Sequence, residues 1–329
     1  MTAAEPDADA RILARLRKAD GPVSGEELAR MLRCTRAAVW KRIAALRAHG
    51  YRIEARHAAG YVLESTPDRL GPSELAPHLR GSWRDVRWLA RVDSTQQVAR
   101  DLARAGAAEG TAVVAEEQTA GRGRLGRTWH SPPGENLYCS VVLRPPRAPG
   151  EVPQIALVAG IAVAAAVEEV TGRRPAIKWP NDVLLDGKKV AGILTEMESE
   201  LDRVHHVIAG IGVNLNTRRF PRELRDKASS LLLLTGRPVD RARFAAAMLA
   251  ALEARYARYL AKGFAGVREE WEAYSCLTGT DVCVVGPGGE TAGRVLGLDD
   301  DGALRLRAGD GAVVRVVAGE VTVRGGYGR

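Results

Sequence analysis

Cysteine is scarce in this sequence and badly spaced for either of its usual structural roles. The four cysteines, Cys34, Cys139, Cys276 and Cys283, lie far apart with no CxxC pair, which excludes a zinc ribbon and a disulfide framework and fits reduced thiols in a cytoplasm. A membrane-spanning run is missing too. The longest apolar stretch, residues 155–167, stops at Glu168 and Glu169, short of the ~20 residues a spanning helix needs, so a buried helix and no membrane partner are expected. The N-terminus carries acidic residues and no apolar core region, unlike a secretory signal. No internal repeat or low-complexity tract stands out.

What remains is an ordinary globular composition with a basic bias. The 329 residues exceed one typical core and suit two or three domains. A formal net charge of +8 favours a polyanionic partner, such as nucleic acid or nucleotide phosphate, without specifying which. The location of the charge is more informative: no acidic residue occurs between Thr35 and Ile53, where Arg36, Lys41, Arg42 and Arg47 cluster.

That basic stretch lies in a segment with helix and hairpin signals. Ile12, Leu13 and Leu16 share one apolar face. Ser24-Gly-Glu-Glu is a capping-box pattern with Glu27 at the third helical position, and Leu28 and Leu32 continue inward. Thr35 can cap a third helix in which Val39, Ile43 and Leu46 recur at helical spacing until Gly50 ends it. Two strands over 51–53 and 61–63 then form a wing. This is the pattern of a winged helix-turn-helix, whose second helix can enter a DNA major groove. Arg36, Lys41, Arg42 and Arg47 are its candidate DNA contacts, and Cys34 and Trp40 are expected to pack. The alternative is a three-helix packing or dimerisation module with a solvated basic face.

Residues 67–77 are punctuated by proline and expected to be a linker. Strand-like runs over 111–115, 137–143 and 204–210 then mix with helical runs over 154–170 and 241–260, an α+β pattern. Past Leu277, short runs separated by Gly-Pro-Gly-Gly, Asp-Asp-Asp-Gly and Gly-Asp-Gly predict a small all-β barrel. The expected domains are therefore residues 1–66, 67–276 and 277–329.

Two motifs carry chemistry. Gly121-Arg-Gly-Arg-Leu-Gly-Arg127, followed by Thr-Trp-His-Ser-Pro, spaces three guanidinium groups with glycines that permit close backbone approach. It matches neither a Walker loop nor a Rossmann fingerprint. Such a loop suits an anion; empty, its arginines would repel one another, so mobility relieved by ligand is expected. The second motif, Lys178-Trp-Pro-Asn-Asp182 and then Gly187-Lys-Lys-Val-Ala-Gly192, predicts a turn between strands, with Lys189 entering an apolar strand. Asn181 and Asp182 can reach phosphate or magnesium, and a lysine facing a pocket would stabilise charge as a carboxylate attacks a phosphate. An ordinary surface hairpin would look similar. His205 and His206 are read as structural.

Taken in order, GRGRLGRTWHSP, KWPND, KKVAGILTE and IGVNLN, with the Ser24 helix, Arg36-Ala-Ala-Val-Trp-Lys and Gly60-Tyr-Val-Leu before them, resemble the biotin protein ligase family, specifically its bacterial members that also repress the biotin operon. The resemblance implies a winged helix, a central class II synthetase-like mixed sheet with helices on one side, and a C-terminal SH3-like barrel. It implies biotin contacts at Ser94, Thr95, Gln96, Gln118, Arg122, Gly123, Arg124 and Lys189. Gln96 stands where repressor-type relatives carry asparagine, and Leu125 at a position that can be arginine. Nucleotide contacts fall on Arg124, Arg127, Lys178, Asn181, Asp182, Asn214 and Arg324, with Asp182 the magnesium ligand and Lys189 and Arg124 the catalytic pair. The implied ligands are ATP, biotin and Mg2+, with biotinyl-AMP as corepressor. The implied partners are the biotin carboxyl carrier protein, operator DNA and a second copy of the chain. An enzyme without a regulatory N-terminal module, a ligand sensor without catalysis and a lipoate ligase are the competing readings.

Overall fold

A computed structural model describes residues 8–201, 203–286 and 289–323, and the chain divides into two compact units, Met1–His78 and Leu79–Arg329. In the first unit, helices α1 (Ala8–Arg17), α2 (Gly25–Leu32) and α3 (Arg36–Ala48) precede an antiparallel hairpin of β1 (Arg52–Arg56) and β2 (Gly60–Ser65). Ile12, Leu13, Leu16, Leu28, Val39, Ile43, Leu46 and Ile53 form its core. Both expected caps are made: Ser24 Oγ accepts from Glu27 N at 3.1 Å and Thr35 Oγ1 from Ala38 N at 3.2 Å. The capping box is half-made, because the Glu27 carboxylate accepts from Arg15 Nε at 2.6 Å instead; α1 places a cation where the box would have used a backbone N–H. Val23 and Tyr61 exchange backbone hydrogen bonds, which fixes the hairpin to the start of α2.

The proline-punctuated stretch is folded rather than an open linker. It contains the short helix α4 (Pro72–Leu75), Leu70 and Leu75 are buried, Arg17 donates to Ser73 O at 2.6 Å, and the Tyr51 hydroxyl donates to Glu74. These ties to α1 and the hairpin place residues 67–78 with the first unit.

The second unit runs β3 (Val86–Leu89), α5 (Thr95–Arg104), β4 (Ala112–Ala115), β5 (Leu137–Leu143), α6 (Pro153–Thr171), β6 (Ala176–Lys178), β7 (Asp182–Leu185), β8 (Lys188–Ser199), β9 (Val204–Val213), α7 (Leu231–Thr235), α8 (Arg241–Lys262) and α9 (Ala265–Tyr274). Its seven strands form one mixed sheet in the order β3-β4-β5-β9-β8-β7-β6, parallel between β3 and β4 and antiparallel elsewhere. One sheet face is apolar. The cross-strand row Ile177, Val183, Ala191, Val213 and Leu137 lies on it, and Gly160 of α6 approaches Ile177. Helices α8 and α9 pack on α6 in turn. By length and composition α6 could cross a membrane, yet residues 154–164 are buried without interruption, as befits a helix enclosed in a core. Helix α5 lies on the other face, where its Ala99 and Ala103 pack on Val113, Val142 and Ile208.

After α9 come β10 (Asp281–Gly286), β11 (Gly289–Leu298), β12 (Leu304–Arg307), β13 (Val313–Val316) and β14 (Glu320–Val323). They pair antiparallel in the order β13-β12-β11-β10-β14, the sheet of the expected SH3-like barrel. Elements α4, β3, α5, β7, α7, α9 and β14 have no counterpart in the sequence reading. The spacing of Val98 and Leu102 behind Ser94 is the signal that would have found α5.

Candidate functional site

The sheet face that carries α5 is paved with glycine where β8 meets β9. Gly192 and Gly212 are cross-strand partners, and Gly210 is two residues along on the same face. A side chain at Gly212 would put its Cβ 2.5 Å from the Trp129 ring, and one at Gly192 would come within 3.0 Å of it. The missing side chains let the indole lie on the backbone. Gly210 makes room in the same way for Gln96, whose Cδ would stand 2.7 Å from an added Cβ.

The arginine-rich motif folds over this floor as a hairpin. Trp129 N donates to Gly121 O at 2.9 Å, Arg122 bridges Thr128, and Gly123 N donates to Arg127 O at 2.7 Å around a single 3-10 turn, Arg124–Gly126. Leu125 at its tip is 75% exposed and has a left-handed backbone, φ 55°. Behind the hairpin runs a polar chain: Gln118 Oε1 accepts from Thr95 N at 2.9 Å, Thr95 Oγ1 meets Ser140 Oγ at 2.8 Å, and Gln118 Nε2 donates to Ser131 Oγ at 3.1 Å. Ser94 occupies the N-cap of α5 but makes no capping bond, and its hydroxyl is buried without a partner. Gln96 Oε1 and Trp129 Nε1 are likewise buried and unpaired. Orphaned polar atoms cost free energy unless something supplies partners, so this cluster is built for a small polar ligand.

Beside the floor lies a charged strip. Asp182 opens β7 opposite Lys178, and the Lys189 ammonium lies 2.6 Å from Asp182 Oδ1 and 5.5 Å from the centre of the Trp129 ring. Burial holds the Lys178 ammonium below the usual lysine range, while Asp182 opposes that shift. Asn181 Nδ2 donates to Ile193 O at 2.9 Å, leaving its Oδ1 to accept from Arg124 Nη1 at 2.8 Å. Asn214 is buried and donates to Ser229 O at 3.2 Å. Phosphate oxygens could be held here by Lys178, Lys189 and the hairpin guanidinium groups. The turn expected between 178 and 189 is in fact two turns, since β7 separates Lys178-Trp-Pro-Asn from a two-residue Asp186-Gly187 hairpin loop with both residues at positive φ.

In the first unit, α3 turns Arg36, Ala37, Trp40, Lys41 and Ala44 to solvent. The four predicted DNA contacts separate into two groups. Arg36 and Lys41 are exposed. Arg42 pairs with Asp9 at 2.9 Å, and Arg47 Nε donates to Ile53 O at 2.8 Å, so both also hold the unit together. Cys34 packs against the core as expected, whereas Trp40 does not, being 60% exposed. With Val39, Ile43 and Leu46 facing inward, residue 40 falls on the outward side of the helix.

Comparison with known proteins agrees with this geometry. A biotin/lipoate A/B protein ligase family model matches residues 88–214, an HTH domain model residues 10–62, and a biotin protein ligase C-terminal domain model residues 280–324. The bifunctional ligase/repressor BirA of Bacillus subtilis is 42% identical over 298 residues, covering 88% of this chain and 90% of that protein. The chain belongs to the biotin protein ligase family. Its Escherichia coli relative, also named bifunctional ligase/repressor BirA, is 32% identical, with 92% of each chain covered. The solved biotin protein ligase of Aquifex aeolicus, in complex with biotin and ATP, superimposes with a TM-score of 0.65 at 34% identity, covering 73% of this chain and 99% of that one.

Seen as a ligase fold, the structure brings Ser94, Thr95, Gln96, Gln118, Arg122, Gly123, Arg124, Lys178, Asn181, Asp182 and Lys189 to one sheet face and the hairpin above it. Arg324 lies outside the described residues. The expected mutual repulsion of the hairpin arginines is relieved within the chain itself: Arg122 lies 3.7 Å from Glu196, Arg124 bonds Asn181 and Gly319 O, and Arg127 pairs with Glu320 of β14 at 2.6 Å. Glu196 also accepts from Arg100 and Gln96. The roles of Glu196, Glu320, Ser131, Gly210 and Gly212 went unrecognised in the sequence, since nothing local marks them. The Arg127 hydrogen bond holds the Glu320 carboxyl below the usual range, so this tie is complete above the ordinary carboxylate pKa and is lost as pH falls through the lowered one. Glu320→Gln should speed trypsin cleavage after Arg122, Arg124 and Arg127 at neutral pH while moving Tm by no more than roughly 2 °C, as suits an exposed pair. Unchanged cleavage would show that the tie does not hold the hairpin.

Proposed function

We propose that this chain is a cytoplasmic enzyme that joins biotin to ATP as biotinyl-5′-AMP and transfers the biotinyl group to a lysine of the biotin carboxyl carrier protein of acetyl-CoA carboxylase. With the adenylate bound as corepressor, it dimerises and represses biotin biosynthesis genes. The observation that carries the reading is the Lys189 ammonium beside Asp182 and Trp129, at the edge of a glycine floor lined by orphaned polar atoms and covered by a guanidinium hairpin. The first unit would serve DNA, the seven-stranded sheet and its helices the chemistry, and strands β10 to β14 would brace the hairpin.

On this reading biotin rests against the floor, lined by Ser94, Thr95, Gln96, Gln118, Arg122 and Gly123, with its carboxylate toward Lys189. The carboxylate oxygen attacks the α-phosphorus, the bond to the β-phosphate oxygen breaks, and pyrophosphate leaves. Lys189 and Arg124 offset the charge developing on the α-phosphate. Arg127, Lys178, Asn181, Asn214 and Arg324 hold the nucleotide. The hairpin then excludes water from the mixed anhydride until the carrier amine attacks its carbonyl and AMP departs. Among the described residues no group of three or more metal-ligating side chains exists. Magnesium bound through phosphates needs only one or two carboxylates, and Asp182 fits that role; the ion would screen the phosphate charge.

The test is pyrophosphate release and biotin transfer to apo carrier protein, with lipoate as competitor. Biotin-dependent release that lipoate fails to inhibit is expected. Preferential use of lipoate would make the chain a lipoate ligase, and no release with either acid would leave a ligand sensor. Gel shifts on biotin-gene promoter DNA with and without biotin and ATP test repression; equal affinity in both would remove the regulatory half. Sedimentation under the same conditions tests dimerisation.

A further inference from the structure

We propose that Trp40 reads base sequence, its indole packing on the 5-methyl groups of thymines in the major groove of the operator. The inference rests on the DNA-binding reading of the first unit and names which residue of α3 supplies specificity. Trp40 is the one exposed aromatic side chain among the described residues, 60% accessible in a chain whose other described tryptophans are buried or half-buried. With exposed Ala37 and Ala44 beside it, the ring forms an apolar patch, which is informative in a way that an exposed charge is not.

Its surroundings select the partner. Trp40 lies in the second turn of α3, and in helix-turn-helix proteins the N-terminal residues of the second helix are those that face base edges. Arg36 and Lys41, exposed on the same side, supply cations for the two flanking backbones, and no acidic residue occurs from Thr35 to Ile53 to repel phosphate. Ala37 and Ala44, also exposed, are too small to hold the helix away from the groove floor. A hydrophobic protein partner would be expected to meet a broad apolar patch, whereas here one ring and two alanine methyl groups stand between cations. The thymine methyl is the apolar group that a major groove offers, so a flat apolar ring framed by phosphate-binding cations matches an A·T pair.

The experiment uses the full chain with biotin and ATP. The preferred duplex is first selected from a randomised pool, and each thymine in it is then replaced by deoxyuridine, which deletes only the methyl. Wild type should lose about tenfold in affinity at one or two thymines per half-site. Trp40→Ala should bind the selected duplex at least about tenfold more weakly, show no further loss at those thymines, and keep the wild-type salt dependence. Lys41→Ala should instead reduce the slope of log K against log salt by about 0.9 per half-site. Trp40→Phe should recover part of the affinity and of the methyl sensitivity, which separates contact from folding. Wild-type affinity in Trp40→Ala, or the same deoxyuridine losses in both proteins, would overturn the inference. Failure of wild type to select any sequence would remove the DNA-binding reading itself, while biotin transfer would stand.

Discussion

Lys189→Ala should lower the rate of biotinyl-AMP formation by about a hundredfold or more, the loss usual when a preorganised charge aimed at a reacting oxyanion is removed. The structure gives the effect two sources. Lys189 is the cation at the junction of floor and charged strip, and its removal takes from Asp182, 2.6 Å away, its ion-pair partner where phosphate must enter. Pyrophosphate release under saturating biotin and ATP measures it. Lys189→Arg should rescue little, because a wider planar group must fit between the Trp129 ring and Gly192. A normal rate in Lys189→Ala would remove the assigned role.

Arg241→Ala should destabilise the second unit by about 3 kcal/mol, the effect expected when one member of a buried ion pair is deleted. Arg241 is fully buried at the start of α8. It donates to Glu116 Oε2 at 2.8 Å and to Asn136 O at 3.3 Å, while Glu116 Oε1 accepts from Trp88 at 3.2 Å. Truncation takes from the carboxylate the buried guanidinium that faces it. Glu116 is two residues before Gln118, so the KM for biotin should rise as well. Urea unfolding checks the first effect and steady-state kinetics the second. Arg241→Met with Glu116→Gln should recover most of the stability, since both charges are then removed together. Equal loss in the single and double variants would show that packing, not the ion pair, sets the cost.

Much of the site was legible because its chemistry is concentrated in short segments. Glycine spacing in 121–127 announced close backbone approach, and lysine in an apolar strand announced a cation facing a pocket. The secondary structure was legible where patterns were strong: the caps at Ser24 and Thr35, the short apolar run of β5, and the long apolar α6. It failed at α5, where Ser94 looks like a cap but leaves its hydroxyl unpaired, and at Trp40, whose outward position follows only once the helix is rotated onto its core.

The order of the motifs determined the family, the winged helix, the ligase sheet and the barrel, because each depends on residues within a few turns or strands of one another. Which charges remain available was decided only by tertiary structure. Asp9 engages Arg42, Glu196 lies beside Arg122, Glu320 engages Arg127, and Glu116 engages Arg241, pairs separated by 33 to 193 residues. A guanidinium group binds whichever anion the fold brings within a few ångströms, and that distance is a property of the packed chain rather than of the local sequence.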